Sequence, residues 1–559
     1  MARVSAAEAV IRILEAEGIP YVFGNPGTTE APLLDALVAH PDIQFILGLQ
    51  ENIVVGMAGG YALATGKPGV AMLHTTYGTA SGYLNLVNAH SEQIPVVGIA
   101  GQQHTAMLLT EPSLNFYLHG PVKEMTKWMW EVRSVSEVPH ALRRAIKVAL
   151  DPPRGPTFLV LPSNLAREEL EISDIPPPEK SHPNLRIRGD PEAIIASALL
   201  LLRAERPCLI YGAAAVRSGA IPELTELAEL LSIRVYAAPR FPHLAFPTDH
   251  PLYLGVFDRA AGENTDLVLG VGLKMFREHE YNRKPLIPSG TRIIHVDPDA
   301  HEIAKNYPVE VGVLADPKMG IRDLIETIKS LLDTDARTRI QRRAREVAAL
   351  KQLLTDALDR EVKKEWGSVP IKTTRLVKEI RKALDRRGVI VEEAVRSTRA
   401  LERHFDIYEP DTFVRSTGGL GWSLAAAIGV KLGRPDREVV AYIGDGSFMY
   451  TPQALWTMAR HRVPVVTIIC NNRSYISQKA ILYQMGGLAA ETGRYIGTDL
   501  VDPEVDFVGL AESLGVRGVR VERPDDIGPS VRAALSSGAP YLIDVLIDAK
   551  EAGAGLVLP

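Results

Sequence analysis

Residues 444–475 read GDGSFMYTPQALWTMARHRVPVVTIICNNRSY, and how this stretch folds decides the reading of the whole chain. The apolar run 439–443 before it has the pattern of a buried strand, and Gly444-Asp445-Gly446 is the sharp turn that leaves it. Leu455, Trp456 and Met458 recur at helical spacing between 452 and 460, and 464–470 (PVVTIIC) is again short, apolar and β-branched. A strand, helix and strand joined by a right-handed crossover set two parallel strands side by side, so Asp445 and Asn472 meet at adjacent strand ends. A carboxylate beside an amide suits a hard cation that needs few protein ligands, with phosphate oxygens filling the rest of the octahedron; Mg2+ is the natural choice. Gly446 and Ser447 open the helix, whose free N–H groups favour an anion.

Outward from this stretch, 559 residues are enough for about three or four domains with their own cores. Apolar residues make up 46% and charged residues 23%, an ordinary soluble composition. A net charge of −5 with no basic tract points away from a nucleic-acid partner. The first twenty residues place Val10, Ile11 and Leu14 on one face of an amphipathic helix rather than in a signal peptide, and no run of about 18 apolar residues suggests a membrane span. Cys208 and Cys470 both fall in strand-like runs and read as buried thiols, which fits a cytoplasmic protein.

Helices and strands alternate along the chain, which predicts an α/β protein with three doubly wound parallel-sheet domains. The first, 1–175, holds YVFG, FILGL, GVAMLH, VVGIAG and FLVLP. A Pro-rich, charged linker follows. The second, 190–335, holds PCLIYG, IRVYAA, LVLGVG and RIIHVD without a complete dinucleotide fingerprint. A charged helical segment, 335–366, leads to the third, 367–559, with GVIVEE, TFVRS, VVAYIG, VVTIIC and YLIDVLI.

GDG followed by NN at this spacing resembles the thiamine diphosphate signature, and the three units match pyrimidine-binding, middle and diphosphate-binding domains in that order. The resemblance covers nearly the whole chain and is to the thiamine diphosphate-dependent 2-oxo acid decarboxylases, the benzoylformate decarboxylase branch in particular. It implies that Asp445, Asn472 and the main-chain carbonyl of Ser474 hold Mg2+ against the diphosphate, beside Gly444, Gly446, Ser447, Tyr450 and Tyr475. Glu51, at a strand-to-helix junction after FILGL, matches the glutamate that keeps the aminopyrimidine ring nitrogen protonated. In the stretch STGGLGW, the carbonyl of Gly418 would accept from the cofactor's amino group and Leu420 would wedge between its two rings.

The turn Asn25-Pro26-Gly27-Thr28-Thr29-Glu30 can be explained by capping alone, and also resembles the family turn whose hydroxyl, here Thr28, contacts the substrate carboxylate. His74 matches an active-site histidine, and GLKMFREHEY in the middle domain makes His279 a second candidate for proton transfer. The His-His pair of pyruvate and indolepyruvate decarboxylases is absent from the first domain. Arg396 stands where a small hydroxyl is usual at the diphosphate, and Gln478, Lys479 and Ile481 replace a more apolar pocket. The implied activity is release of CO2 and an aldehyde from a 2-oxo acid, by a homo-oligomer, a dimer of dimers, with sites at subunit interfaces. A carboligase of the acetohydroxyacid synthase or acyl-CoA lyase type is the alternative, and a non-catalytic nucleotide-binding protein would leave Glu51 without a role.

Overall fold

Runs of β-branched residues bounded by Gly, Pro and Asn form the interior strands, and the helices between them return each strand parallel to the last. The computed structural model describes residues 2–172, 175–183, 185–239, 244–276, 284–416 and 418–551. They divide into two compact units, one of 1–184, 390–396 and 416–559, the other of 185–389 and 397–415. Three six-stranded sheets carry the chain, a three-sheet α/β architecture.

The first sheet runs in the order Gln44–Leu47, Tyr21–Gly24, Gly69–Leu73, Val96–Gln102, Thr157–Pro162, Trp128–Glu131, all parallel. Its winding reverses between Tyr21–Gly24 and Gly69–Leu73, where Gly24 pairs with Met72. The crevice at such a reversal, outside the carboxyl ends of the strands, is where α/β sheets take ligands. In the same unit, strands Val389–Glu393, Val439–Gly444, Val465–Asn471, Tyr541–Leu546 and Arg517–Val521 lie side by side in that order, repeating the winding of the first sheet's last five strands. The second unit holds the sheet Tyr253–Val256, Arg234–Ala237, Pro207–Tyr211, Leu267–Val271, Arg292–Asp297, Val311–Leu314, also parallel throughout.

Several local expectations are met. Val10, Ile11 and Leu14 are buried in the helix Ala6–Ala16, capped by Ser5, which accepts from the Glu8 N–H at 3.1 Å. Cys208 and Cys470 are free and buried inside strands, and burial pushes the Cys208 thiol up to about 12. The charged segment is the single helix Thr334–Glu365, and among the described residues no helix is long and apolar enough to cross a membrane. One expectation changes. The helix after GDG is broken into a turn, Asp445–Phe448, and a separate helix, Ala454–His461, because Pro452 denies the residue before it the helical conformation. Gly446 and Ser447 therefore open one turn rather than a long helix.

The two sheets of the first unit meet through helices Glu51–Thr65 and Ser423–Gly433, both buried almost all round. Their backbones approach so closely that a Cβ on Gly60 would lie 2.1 Å from the Ala426 carbonyl oxygen, and one on Gly429 2.0 Å from that of Met57. Gly429→Ala forces these helices apart and is expected to lower stability by about 1–3 kcal/mol, read from urea unfolding.

Candidate active site

At the winding reversal of the first sheet, the turn after Tyr21–Gly24 faces the loop after Gly69–Leu73. Asn25 Nδ2 donates to Glu51 Oε1 at 3.0 Å, which fixes the carboxyl at the start of helix Glu51–Thr65. Glu30, 1% exposed, is the hub beside it. Its carboxyl accepts from the N–H of Gly27 (2.9 Å) and Gly101 (2.8 Å), from the Thr29 hydroxyl (2.7 Å) and from His74 Nδ1 (2.9 Å). A carboxylate at Nδ1 sets that nitrogen as the donor, leaving Nε2 as the atom of His74 that can exchange a proton. The packing is tight: a Cβ on Gly27 would overlap His74 Nδ1 at 2.0 Å, and one on Gly78 would lie 2.9 Å from Glu51 Oε1. Thr75, directly after His74, is fully buried, has a left-handed φ of 36° and leaves its hydroxyl unpartnered. Thr28 is exposed; the hydroxyl that joins the cluster is that of Thr29.

The other sheet of the unit presents a carboxylate and an amide at the carboxyl ends of two adjacent strands, Val439–Gly444 and Val465–Asn471. Asp445, 3% exposed, and Asn472, 8% exposed, converge on one group: the Ser474 N–H donates to Asp445 Oδ2 at 3.2 Å and to Asn472 Oδ1 at 2.9 Å. Burial pushes the Asp445 carboxyl up to about 6, against the pull of the backbone donors around it. Ser474 Oγ is buried without a partner, and Arg473, between Asn472 and Ser474, has φ 58°. The Tyr475 ring occupies the space a Cβ on Gly446 would need, 2.4 Å away, while a Cβ on Gly444 would make only ordinary contact, at 3.8 Å, with Ala394 and Ser447. Arg396 Nε donates to Ser477 Oγ at 3.3 Å, and its neighbour Val395 has φ 52°. Ser447 is buried, Tyr475 half-buried and Tyr450 exposed. Two hard oxygens aligned on one backbone amide, with an orphaned hydroxyl beside them, fit a divalent cation that keeps most of its shell for other oxygens.

Gly418 to Leu420 is held from both sheets. Asn88 accepts from the Gly419 N–H at 2.7 Å and donates to the Gly419 carbonyl at 3.0 Å. Glu393, wholly buried, accepts from the N–H groups of Gly421 (2.6 Å), Trp422 (2.8 Å) and Ser423 (2.8 Å) at the start of helix Ser423–Gly433. Burial pushes its carboxyl up to about 7 despite the three donors.

The structure thus brings Asn25, Gly27, Glu51 and His74 together, and Asp445, Asn472, Ser474, Gly446 and Tyr475 together. No hydrogen bond or ion pair among the described residues joins the first group to the second. His279 lies outside the described residues. Glu30, Thr29, Asn88 and Glu393 are added. The sequence signals for them were the acid closing the NPGTTE turn, read as a cap, and the two acids ending the apolar strand GVIVEE.

Three family models match the chain: the N-terminal binding domain of thiamine pyrophosphate enzymes over residues 4–125, their central domain over 194–324, and their C-terminal binding domain over 394–545. A benzoylformate decarboxylase of Pseudomonas aeruginosa is 32% identical over 552 residues, covering 96% of this chain and 98% of its own. A probable acetolactate synthase large subunit of Methanocaldococcus jannaschii is 30% identical over 564 residues, covering 98% and 92%. The crystal structure of benzoylformate decarboxylase from Polynucleobacter necessarius superposes with a TM-score of 0.84 at 27% identity, covering 98% of this chain and 99% of that one.

Glu30→Ala strips the acceptor from four donors and is expected to cost about 1–3 kcal/mol in chemical denaturation. For Glu393, the folded value near 7 lies above the ordinary 4.5, so the folded state holds a proton the unfolded chain has lost. Its contribution makes stability fall as pH rises from 4.5 to about 7. Glu393→Gln, which does not titrate, flattens that slope, as melting temperatures of both proteins across this range would show.

Proposed function

The chain belongs to the thiamine pyrophosphate enzyme family, and on that premise we propose that it cleaves the C1–C2 bond of a 2-oxo acid without oxidation, releasing CO2 and an aldehyde. The observation that carries this reading is the pairing of Glu30 with His74 beside Glu51, which gives the site a histidine with a defined tautomer for proton delivery. Bound thiamine diphosphate supplies the electron sink for loss of CO2.

In this reading Asp445, Asn472 and the Ser474 carbonyl hold Mg2+, and Gly444, Gly446, Ser447 and Arg396 receive the diphosphate. Glu51 holds a proton at a pyrimidine ring nitrogen, with Asn25 orienting its carboxyl. Gly418 would accept from the cofactor's amino group and Leu420 would pack against the cofactor, on a loop held by Asn88 and Glu393. Tyr450 and Tyr475 flank the bound cofactor, and Pro26 and Gly27 shape the turn that presents Thr28. Thr28 and His74 orient the substrate carboxylate. His74 Nε2 delivers the proton that replaces CO2 on the product carbon, with His279 as the second proton carrier.

A homo-oligomer, a dimer of dimers, fits the placement of these groups. Among the described residues the proton-transfer and metal-binding groups share no hydrogen bond, and helices and loops of the first unit expose apolar side chains, among them Tyr77, Met107 and Leu109 near the first set and Tyr450, Leu488 and Ile496 in the segments of the second. A second copy facing the first would supply the missing half of each site. The acetolactate synthase relative, together with the exposed Gln478 and the Lys479–Asp499 ion pair beside it, favours a second reading in which an aldehyde or second keto acid replaces the proton as acceptor.

A panel of 2-oxo acids assayed with and without aldehyde acceptors separates the two. CO2 with free aldehyde is the expected outcome, and C–C coupled product alone would overturn it. Glu51→Gln is expected to lower kcat by about 100-fold or more with thiamine diphosphate affinity changed far less. An Asp445→Ala protein should fail to retain Mg2+ in equilibrium dialysis.

A further inference from the structure

The second unit contains a cavity of about 450 Å³ on the side of its sheet bounded by the edge strand Tyr253–Val256. It lies under helix Thr334–Glu365, at the amino ends of strands Pro207–Tyr211 and Arg234–Ala237. Arg343, Val347, Leu350 and Leu354 recur at helical spacing and turn one stripe of the helix toward it. The helix is tied down around the cavity: Arg339 Nε donates to the Leu202 carbonyl at 3.0 Å, and Lys351 Nζ to those of Thr248 and Tyr253 at 2.9 Å each.

Arg343 is 2% exposed, and all three of its guanidinium nitrogens lack a hydrogen-bond partner among the described residues. Burial, then the neighbouring Arg339 charge, pulls its value down to about 10, so it stays cationic at neutral pH. The nearby acids are engaged elsewhere. Glu205 and Glu346 pair with Arg342, Asp258 accepts from the Ala261 N–H, and Asp266 accepts from the N–H groups of Glu205 and Arg206, so Asp266 and Glu346 act on Arg343 through their charge and not through a hydrogen bond. Arg234 is likewise occupied, by the Asn264 carbonyl and the Thr265 hydroxyl. A buried charge without a partner is among the most unfavourable arrangements a protein interior can hold, and a cavity next to it is room for the partner.

We propose that this cavity binds a small organic monocarboxylate, its carboxylate on Arg343 and its apolar body against Val256, Val347 and Leu350. One free guanidinium matches one negative charge in bidentate fashion, and the three carboxylates on the cavity wall, Glu205, Asp258 and Glu346, oppose a multiply charged phosphate. Apolar walls account for the rest of the ligand, and the volume falls in the range of ordinary small-molecule sites.

Isothermal titration of the full-length protein with benzoate, acetate and inorganic phosphate tests this. Benzoate should bind, acetate more weakly and phosphate not at all. Arg343→Leu should weaken benzoate at least tenfold, and so should Leu350→Trp, which fills the cavity and keeps the charge. His74→Ala should leave this binding in place, which separates the cavity from the site on the first unit. No benzoate binding, meaning that water alone solvates Arg343, would overturn the proposal. So would binding that survives both cavity variants, binding lost in His74→Ala, or a preference for phosphate.

Discussion

The contact between helices Glu51–Thr65 and Ser423–Gly433 is the constraint on which the first unit depends. Each helix begins at a group of the candidate site, Glu51 on one and the loop capped by Glu393 on the other. Glycines at the crossing let backbone meet backbone, where dispersion contacts are dense and any added methyl group is felt. Rigid helices joined at such short range carry position from one sheet to the other with little play. The hydrogen bonds from Asn88 to Gly419 then fix the loop between them.

Within that frame the two sheets divide the chemistry. One brings a glutamate, a histidine and a buried carboxylate that sets the histidine's tautomer. The other brings two oxygen ligands and a set of turns without side-chain bulk. The first set stands at a reversal of strand winding, where the loops diverge and leave a crevice, and the second at the carboxyl ends of two adjacent strands, so a repeated topology carries two different sets of groups.

Interior strands were legible because burial on both faces demands continuous apolar runs, as in VVAYIG and VVTIIC. Edge strands were legible only where an apolar run survives, as in FILGL and TFVRS. Trp128–Glu131 is half-buried along its length, and Arg517–Val521 alternates charged and small residues, so neither has a run to read. The residues Glu51, His74, Asp445 and Asn472 could be singled out by their match to the family's motifs, each lying at the end of a strand or the start of a helix. Their supports could not, because a carboxyl such as Glu30 or Glu393 becomes a hub only when amides from distant segments arrive at it, here Gly101 for one and Gly421 to Ser423 for the other. Proline decided the remaining difference, dividing the helix that the apolar spacing had suggested after GDG.

Thr75, Val395 and Arg473 each hold a left-handed backbone next to a group of the candidate site: His74, Arg396 and Asn472. For residues with a Cβ that conformation costs roughly 1–2 kcal/mol apiece, and it persists only while surrounding structure enforces it. The bends act as loaded springs at the points where the chemistry is arranged. Loosening of the local scaffold lets them relax before the sheets come apart, so competence and foldedness are separable properties of this chain. A population can keep its secondary structure intact and still have lost its working geometry.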